Sequence, residues 1–154
     1  MEKSVALIVI SFAALASGGL VVNWIGLGRT MSRLAIYSYI EFHQLNIRTF
    51  DPYMPIVVVG ALAGGIALAV IYGIGSTGGQ LAAAGAICYA LVLIIGLPTC
   101  VRINRQISSW SIRNPPRDWA QIRARWIKFH RIRTLFSIPA FVAYALAVMS
   151  NTNR

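Results

Sequence analysis

Residues 114–141 read NPPRDWAQIRARWIKFHRIRTLFSIPAF, and the change of character along this stretch decides the fold. Two prolines open it, and no helix continues through them. Asp118 follows as a candidate N-cap. From Trp119 to Arg133 come five basic residues, two tryptophans and a histidine, and the same helix then runs into apolar sequence. At about 100° per residue, Trp119, Arg123, Trp126, His130 and Arg133 fall on one stripe, while Arg125, Lys128 and Arg131 point roughly the opposite way. The helix therefore carries two basic populations. The outer set meets headgroups and solvent; the inner set faces other helices.

Working outward, the chain of 154 residues is 57% hydrophobic and 12% charged, far from a soluble average. A helix needs about 20 apolar residues to cross a bilayer. Segments 4–27, 52–74, 79–107 and 119–149 meet or approach that length. The sequence thus predicts an all-α integral membrane four-helix bundle forming one domain, with an amphipathic interfacial helix over residues 32–49 between the first two spans. The first apolar run continues through GGLVVNWIG beyond any leader-like cleavage point, so it reads as a span. Cys88 and Cys100 lie within the third span as small apolar residues, with no disulfide or metal spacing.

The net charge of +10 is distributed unevenly. Arg29, Arg33 and Arg48 lie between the first two spans, and nine basic residues occupy 102–133 against one acid, Asp118. The turn Gly75–Gly79 carries none, and only Lys3 and Arg154 remain. The pattern predicts a multi-pass protein with both connecting basic segments in the cytoplasm and both termini on the non-cytoplasmic side. Basicity of this kind reflects topology and contact with anionic lipid, and it argues against a nucleic-acid partner.

Small residues cluster in the first span (Ala13, Ala14, Ala16, Ser17, Gly18, Gly19) and at Gly60, Gly64 and Gly65 of the second. Such faces let helices approach closely in lipid, within the bundle or between subunits of a homo-oligomer or larger membrane complex. Ahead of the second span, Pro52 and Pro55 fit a first helical turn with Asp51 as its N-cap. In the interfacial helix, Ile36, Ile40, His43, Ile47 and Phe50 form the inward stripe; Tyr37, Glu41, Gln44 and Arg48 face away. In the third span, Leu93, Leu97, Cys100, Asn104 and Ile107 share a stripe.

Alternating topology delivers Asn23 with Trp24, His43, Asn104, and His130 with Arg133 to one depth. Polar groups buried at that depth are costly and tend to be functional. The cluster admits acid–base chemistry in an apolar pocket, a neutral histidine taking a proton while Arg133 or Asn104 stabilises an oxyanion. Burial would keep an imidazole neutral and able to accept. It also admits a metal or haem held through His43 and His130, and a non-enzymatic role as a small membrane subunit.

Two stretches, INRQISSWSIRNPPRDWAQIRARWIKFHRIRTL (103–135) and EFHQLNIRTFDPYMP (41–55), resemble the anthrone-oxygenase-like family of small four-helix membrane proteins. The resemblance is carried by Asn104, Trp110, Pro116, Asp118, Trp119, Arg123, Trp126, His130 and Arg133, with His43 before the second span. It implies a monooxygenase, an oxidoreductase that converts anthrones to anthraquinones with molecular oxygen. His130 or His43 would be the base, and Arg133 or Asn104 the oxyanion partner. Trp119, Trp126, Arg123, Asn23 and Trp110 would bind a lipophilic aromatic. An anthrone anion reacts with oxygen directly, so the chemistry requires no flavin or metal, and the chain carries no phosphate loop or dinucleotide fingerprint.

Overall fold

The computed structural model describes residues 2–152; Arg154 lies outside the described residues. Among the described residues there are five helices: α1 (Glu2–Arg33), α2 (Ile36–Phe50), α3 (Met54–Tyr72), α4 (Thr77–Ser108) and α5 (Trp119–Thr152). All but α2 are long and apolar enough to cross a bilayer. The four pack as a ring in which α4 lies most extensively against α5, and α1 closes the ring between α3 and α5. The bundle presents a largely apolar exterior, with Leu7, Ile56, Val70, Ile94 and Met149 all exposed, as a lipid-facing surface requires.

Two tyrosines cross the ring and tie its diagonals. The Tyr89 hydroxyl on α4 donates to the Ala13 carbonyl on α1 (3.0 Å), and the Tyr144 hydroxyl on α5 donates to the Ala61 carbonyl on α3 (2.9 Å). Both carbonyls belong to small-residue faces, where backbones come close. The glycines of α3 are packed inside the bundle: a Cβ at Gly60 would sit 2.6 Å from Phe12, one at Gly64 2.6 Å from Val9, and one at Gly65 1.8 Å from the Tyr144 hydroxyl oxygen. Between α3 and α4, Gly73 adopts φ +78°, a conformation costly for any residue with a Cβ. Ser76 then caps α4 by accepting from the Gly79 amide at 3.0 Å.

Two π-helical turns interrupt the long helices, at Asn23–Gly28 in α1 and Leu97–Val101 in α4. Each inserts an extra residue and shifts the helical phase. Leu97 is 58% exposed but lines one cleft with Leu93 and Asn104 of its expected stripe, and Cys100, Asn104 and Ile107 are buried.

The amphipathic helix starts later than residue 32. The first span stays helical to Arg33, and an extended corner at Leu34 and Ala35 separates it from α2. That corner exposes the carbonyls of Met31 and Leu34, and Arg123 donates its Nη1 to both at 3.0 Å. On α2, Tyr39, Ile40 and His43 are buried and Glu41 is exposed. Gln44 does not face away as expected: it is half-buried and donates to the carbonyls of Ile107 (2.9 Å) and Trp110 (3.0 Å), closing the frayed end of α4. Asp51 is not an N-cap of the second span. It ends α2, with its amide bonded to the Ile47 carbonyl, and α3 begins at Met54 without a side-chain cap. Its carboxylate is thereby left for another use.

Candidate functional site

Below the Tyr89 and Tyr144 layer the ring opens into a cleft of about 300 Å³ to which the four long helices and Asp51, just past the end of α2, contribute. Its walls are apolar, including Leu20, Met54, Val58, Val92, Leu93 and Leu97. Its polar residues are Asp51, Asn104, Arg105 and Arg133. In the sequence Asp51 reads only as a cap, because its partner Asn104 lies 53 residues away on another helix.

Asn104 is the hub behind the cleft. Its Nδ2 donates to both Asp51 carboxylate oxygens, at 3.0 and 3.1 Å. Its Oδ1 accepts from Trp126 Nε1 at 2.7 Å and from His43 Nε2 at 3.3 Å. Since that oxygen can only accept, His43 carries its proton on Nε2, and its Nδ1 accepts from the Tyr39 hydroxyl at 3.1 Å. Burial holds His43 neutral, bringing its pKa down to about 4 against a smaller upward pull from Asn104. Burial likewise pushes the Tyr39 phenol above its ordinary value, with Arg123 pulling weakly the other way, so Tyr39 stays a donor. For Asp51, burial raises the pKa above the usual carboxylate value, opposed by the Asn104 bonds and by the Arg133 charge.

Arg133 is fixed from the opposite side. Its Nε and Nη2 donate to His130 Nδ1 at 3.2 and 2.9 Å. That nitrogen is therefore the acceptor, and the Nε2 proton goes to the Leu20 carbonyl at 3.2 Å. Both nitrogens of His130 are engaged, and the ring is buried outside the cleft wall. Gly96 makes room for the arginine: a Cβ there would stand 3.2 Å from Arg133 Nη1. Asp51 and Arg133 thus line one cleft while each is bonded to a different support.

His43, Asn104, His130 and Arg133 are brought together, and Trp126 joins them. Its indole stacks on His130 (4.8 Å, 4° between planes) and meets His43 edge-on at 4.7 Å. Both imidazoles thus contact one indole. Among the described residues no three His, Cys, Asp or Glu side chains converge as a metal site. The residues expected to bind a substrate sit elsewhere. Trp126 is core. Trp119 covers the Arg123 guanidinium at 4.5 Å, and Arg123 caps the corner after α1. Trp110 packs at the end of α4. Asn23 is buried in the π turn of α1, with its Oδ1 unpartnered among the described residues, and does not line the cleft.

The anthrone oxygenase family model matches residues 47–143, a segment that contains Asp51, Asn104, Trp126, His130 and Arg133 and begins just after His43. No curated protein and no solved structure matches the chain. With well over half of its length matched, the chain belongs to the anthrone oxygenase family.

Proposed function

We propose that the protein is a membrane-embedded oxygenase that oxidises a lipophilic anthrone, phenol or quinol-like aromatic, with Asp51 as the general base and Arg133 as the oxyanion partner. The observation that carries this is a carboxylate and a guanidinium on one apolar cleft, the first hydrogen-bonded to buried Asn104 and the second to buried His130. A cleft of about 300 Å³ stands at the small end of ligand sites and suits a flat ring system. Half-buried Leu93 and exposed Leu97 stand on the lipid-facing rim, so a membrane-dissolved substrate has a lateral way in.

In this mechanism Asp51 removes a proton from the anthrone methylene, and the electron pair moves onto the carbonyl oxygen beside Arg133. The carbanion carbon then reduces molecular oxygen and forms a C–O bond, and the proton on Asp51 completes a hydroperoxide. Loss of the second methylene proton with cleavage of the O–O bond leaves the new carbonyl and water. One oxygen atom enters the product and the other leaves as water. Asn104 keeps the carboxylate aimed, and His130 keeps the guanidinium aimed; neither touches the reacting atoms. No cofactor is called for. We also place the basic ends of α4 and α5 on the cytoplasmic side, following the positive-inside asymmetry.

Oxygen uptake by detergent-purified protein with a simple anthrone, in the presence of chelator, tests this reading. Asp51→Asn retains the acceptor for Asn104 but cannot take a proton, and should lower kcat by about 10²–10⁴-fold in a folded protein. Full activity in Asp51→Asn would overturn the assignment of the base. Absence of uptake by the folded wild type would overturn the substrate class.

A further inference from the structure

A second concavity lies between α4 and α5. The wide turn at Leu97–Val101, which contains Pro98, opens a groove of about 240 Å³ lined by Pro98, Thr99, Arg102, Ile103, Gln106 and Arg125. Arg102 enters from α4 and Arg125 from α5, so two guanidiniums face one hollow from opposite walls. The lining contains no carboxylate. Arg125 belongs to the outer basic face of α5, away from the catalytic stripe, and both arginines are exposed. Two like charges drawn toward one hollow repel unless an anion lies between them.

The depth of the groove selects the anion. The apolar sequence of α4 ends at Val101 and the first charge is Arg102, so the groove straddles the level at which lipid phosphates lie. Its residues divide the same way. Pro98 and Ile103 offer apolar contact to a glycerol and acyl stem, while Arg102, Arg125 and the Gln106 amide offer donors to phosphate oxygens. The Thr99 hydroxyl gives its proton to the Ile95 carbonyl, which leaves its oxygen free to accept from a headgroup hydroxyl. We propose that this groove is a binding site for the phosphodiester of an anionic phospholipid, held between Arg102 and Arg125. It is separate from the cleft and does not depend on the reaction assigned to it.

Native mass spectrometry of the full-length protein in mixed micelles provides the test, with phosphatidylglycerol titrated against phosphatidylcholine of the same acyl chains. Wild type should retain phosphatidylglycerol preferentially. Arg102→Gln/Arg125→Gln should reduce that preference by about 30-fold, at roughly five-fold for each basic group near the headgroups. Arg113→Gln/Arg117→Gln, which removes the same charge from the connecting segment, should leave it within about two-fold. Equal losses in the two double variants would overturn the proposal, because bulk charge alone would then explain retention. Absence of any preference in the wild type would overturn it too. Displacement of the lipid by millimolar inorganic phosphate would overturn the lipid as occupant in favour of the free ion. If the double variant fails to fold, the single Arg102→Gln and Arg125→Gln proteins carry the same test, each with an expected loss of about five-fold.

Discussion

Asn104→Leu removes the hub of the polar network while keeping the branched four-atom skeleton of the side chain. Two buried donors then lose their acceptor: Trp126 Nε1, now at 2.7 Å from the amide oxygen, and His43 Nε2, at 3.3 Å. Trp126 is 2% exposed and His43 fully buried, so water cannot readily replace the lost partner. A buried orphaned donor costs about 1–3 kcal/mol, which gives an expected loss near 4 kcal/mol for the pair. The carboxylate of Asp51 adds less, because the cleft can hydrate it. The unfolding free energy measured by SDS titration in mixed micelles reads this directly. In a Trp126→Phe background one of the two donors is already absent, so the same substitution should cost about 1–3 kcal/mol less. A second readout separates aiming from mere stability. The Asn104 bonds favour the charged form of Asp51, so their removal should move the acid limb of kcat/KM to higher pH. A loss under about 1 kcal/mol, additive with Trp126→Phe, would refute the network as drawn.

Gly65→Ala should destabilise the bundle by about 3 kcal/mol or more, since its Cβ would fall 1.8 Å from the Tyr144 hydroxyl oxygen. Gly18→Ala, with nothing within 4 Å of the added carbon, should leave the same detergent melt unchanged. His43 is held neutral with a folded pKa of about 4, against an ordinary 6.5. The unfolded chain therefore binds the extra proton first, and this contribution is full above pH 6.5 and lost as pH falls toward 4. About 3 kcal/mol rides on that window. Asp51, raised by burial, acts in the opposite sense, so the wild-type melt must be compared with His43→Gln, in which the downward trend should flatten. Arg123→Met should cost about 2 kcal/mol by uncapping the Met31 and Leu34 carbonyls, yet leave the oxygen-uptake rate of the folded protein within about two-fold; a collapse of kcat at unchanged stability would return Arg123 to the active site.

The architecture is legible in the sequence because bilayer thickness and helical periodicity act locally. The stripe from Trp119 to Arg133 keeps one uninterrupted register, and the structure buries or half-buries each of its members while exposing Arg125, Lys128 and Arg131. Register is a weaker guide to burial than to facing: the constant step of about 100° puts Leu97 on the stripe with Leu93 and Asn104, and all three line the cleft, yet Leu97 at the start of the π turn is 58% exposed. The roles of the site residues are harder to read for a further reason. Conspicuous side chains such as His130, Trp126 and Arg123 draw functional assignments, yet in a small apolar bundle a carboxylate and a guanidinium can be presented to a cleft only if other polar groups hold them from behind. Each support must itself be satisfied, so the two histidines and the Trp126 indole spend their hydrogen-bonding capacity on Asn104, Arg133, Tyr39 and the Leu20 carbonyl. Asp51, the proposed base, looks like a helix cap in sequence because Asp before Pro ordinarily is one. Only the approach of Asn104 from another helix tells the two uses apart, and that approach is a tertiary fact. The same logic predicts where rescue should be found: Asp51→Glu keeps the charge but overreaches the fixed Asn104 amide, and should recover far less activity than the carboxylate alone would suggest.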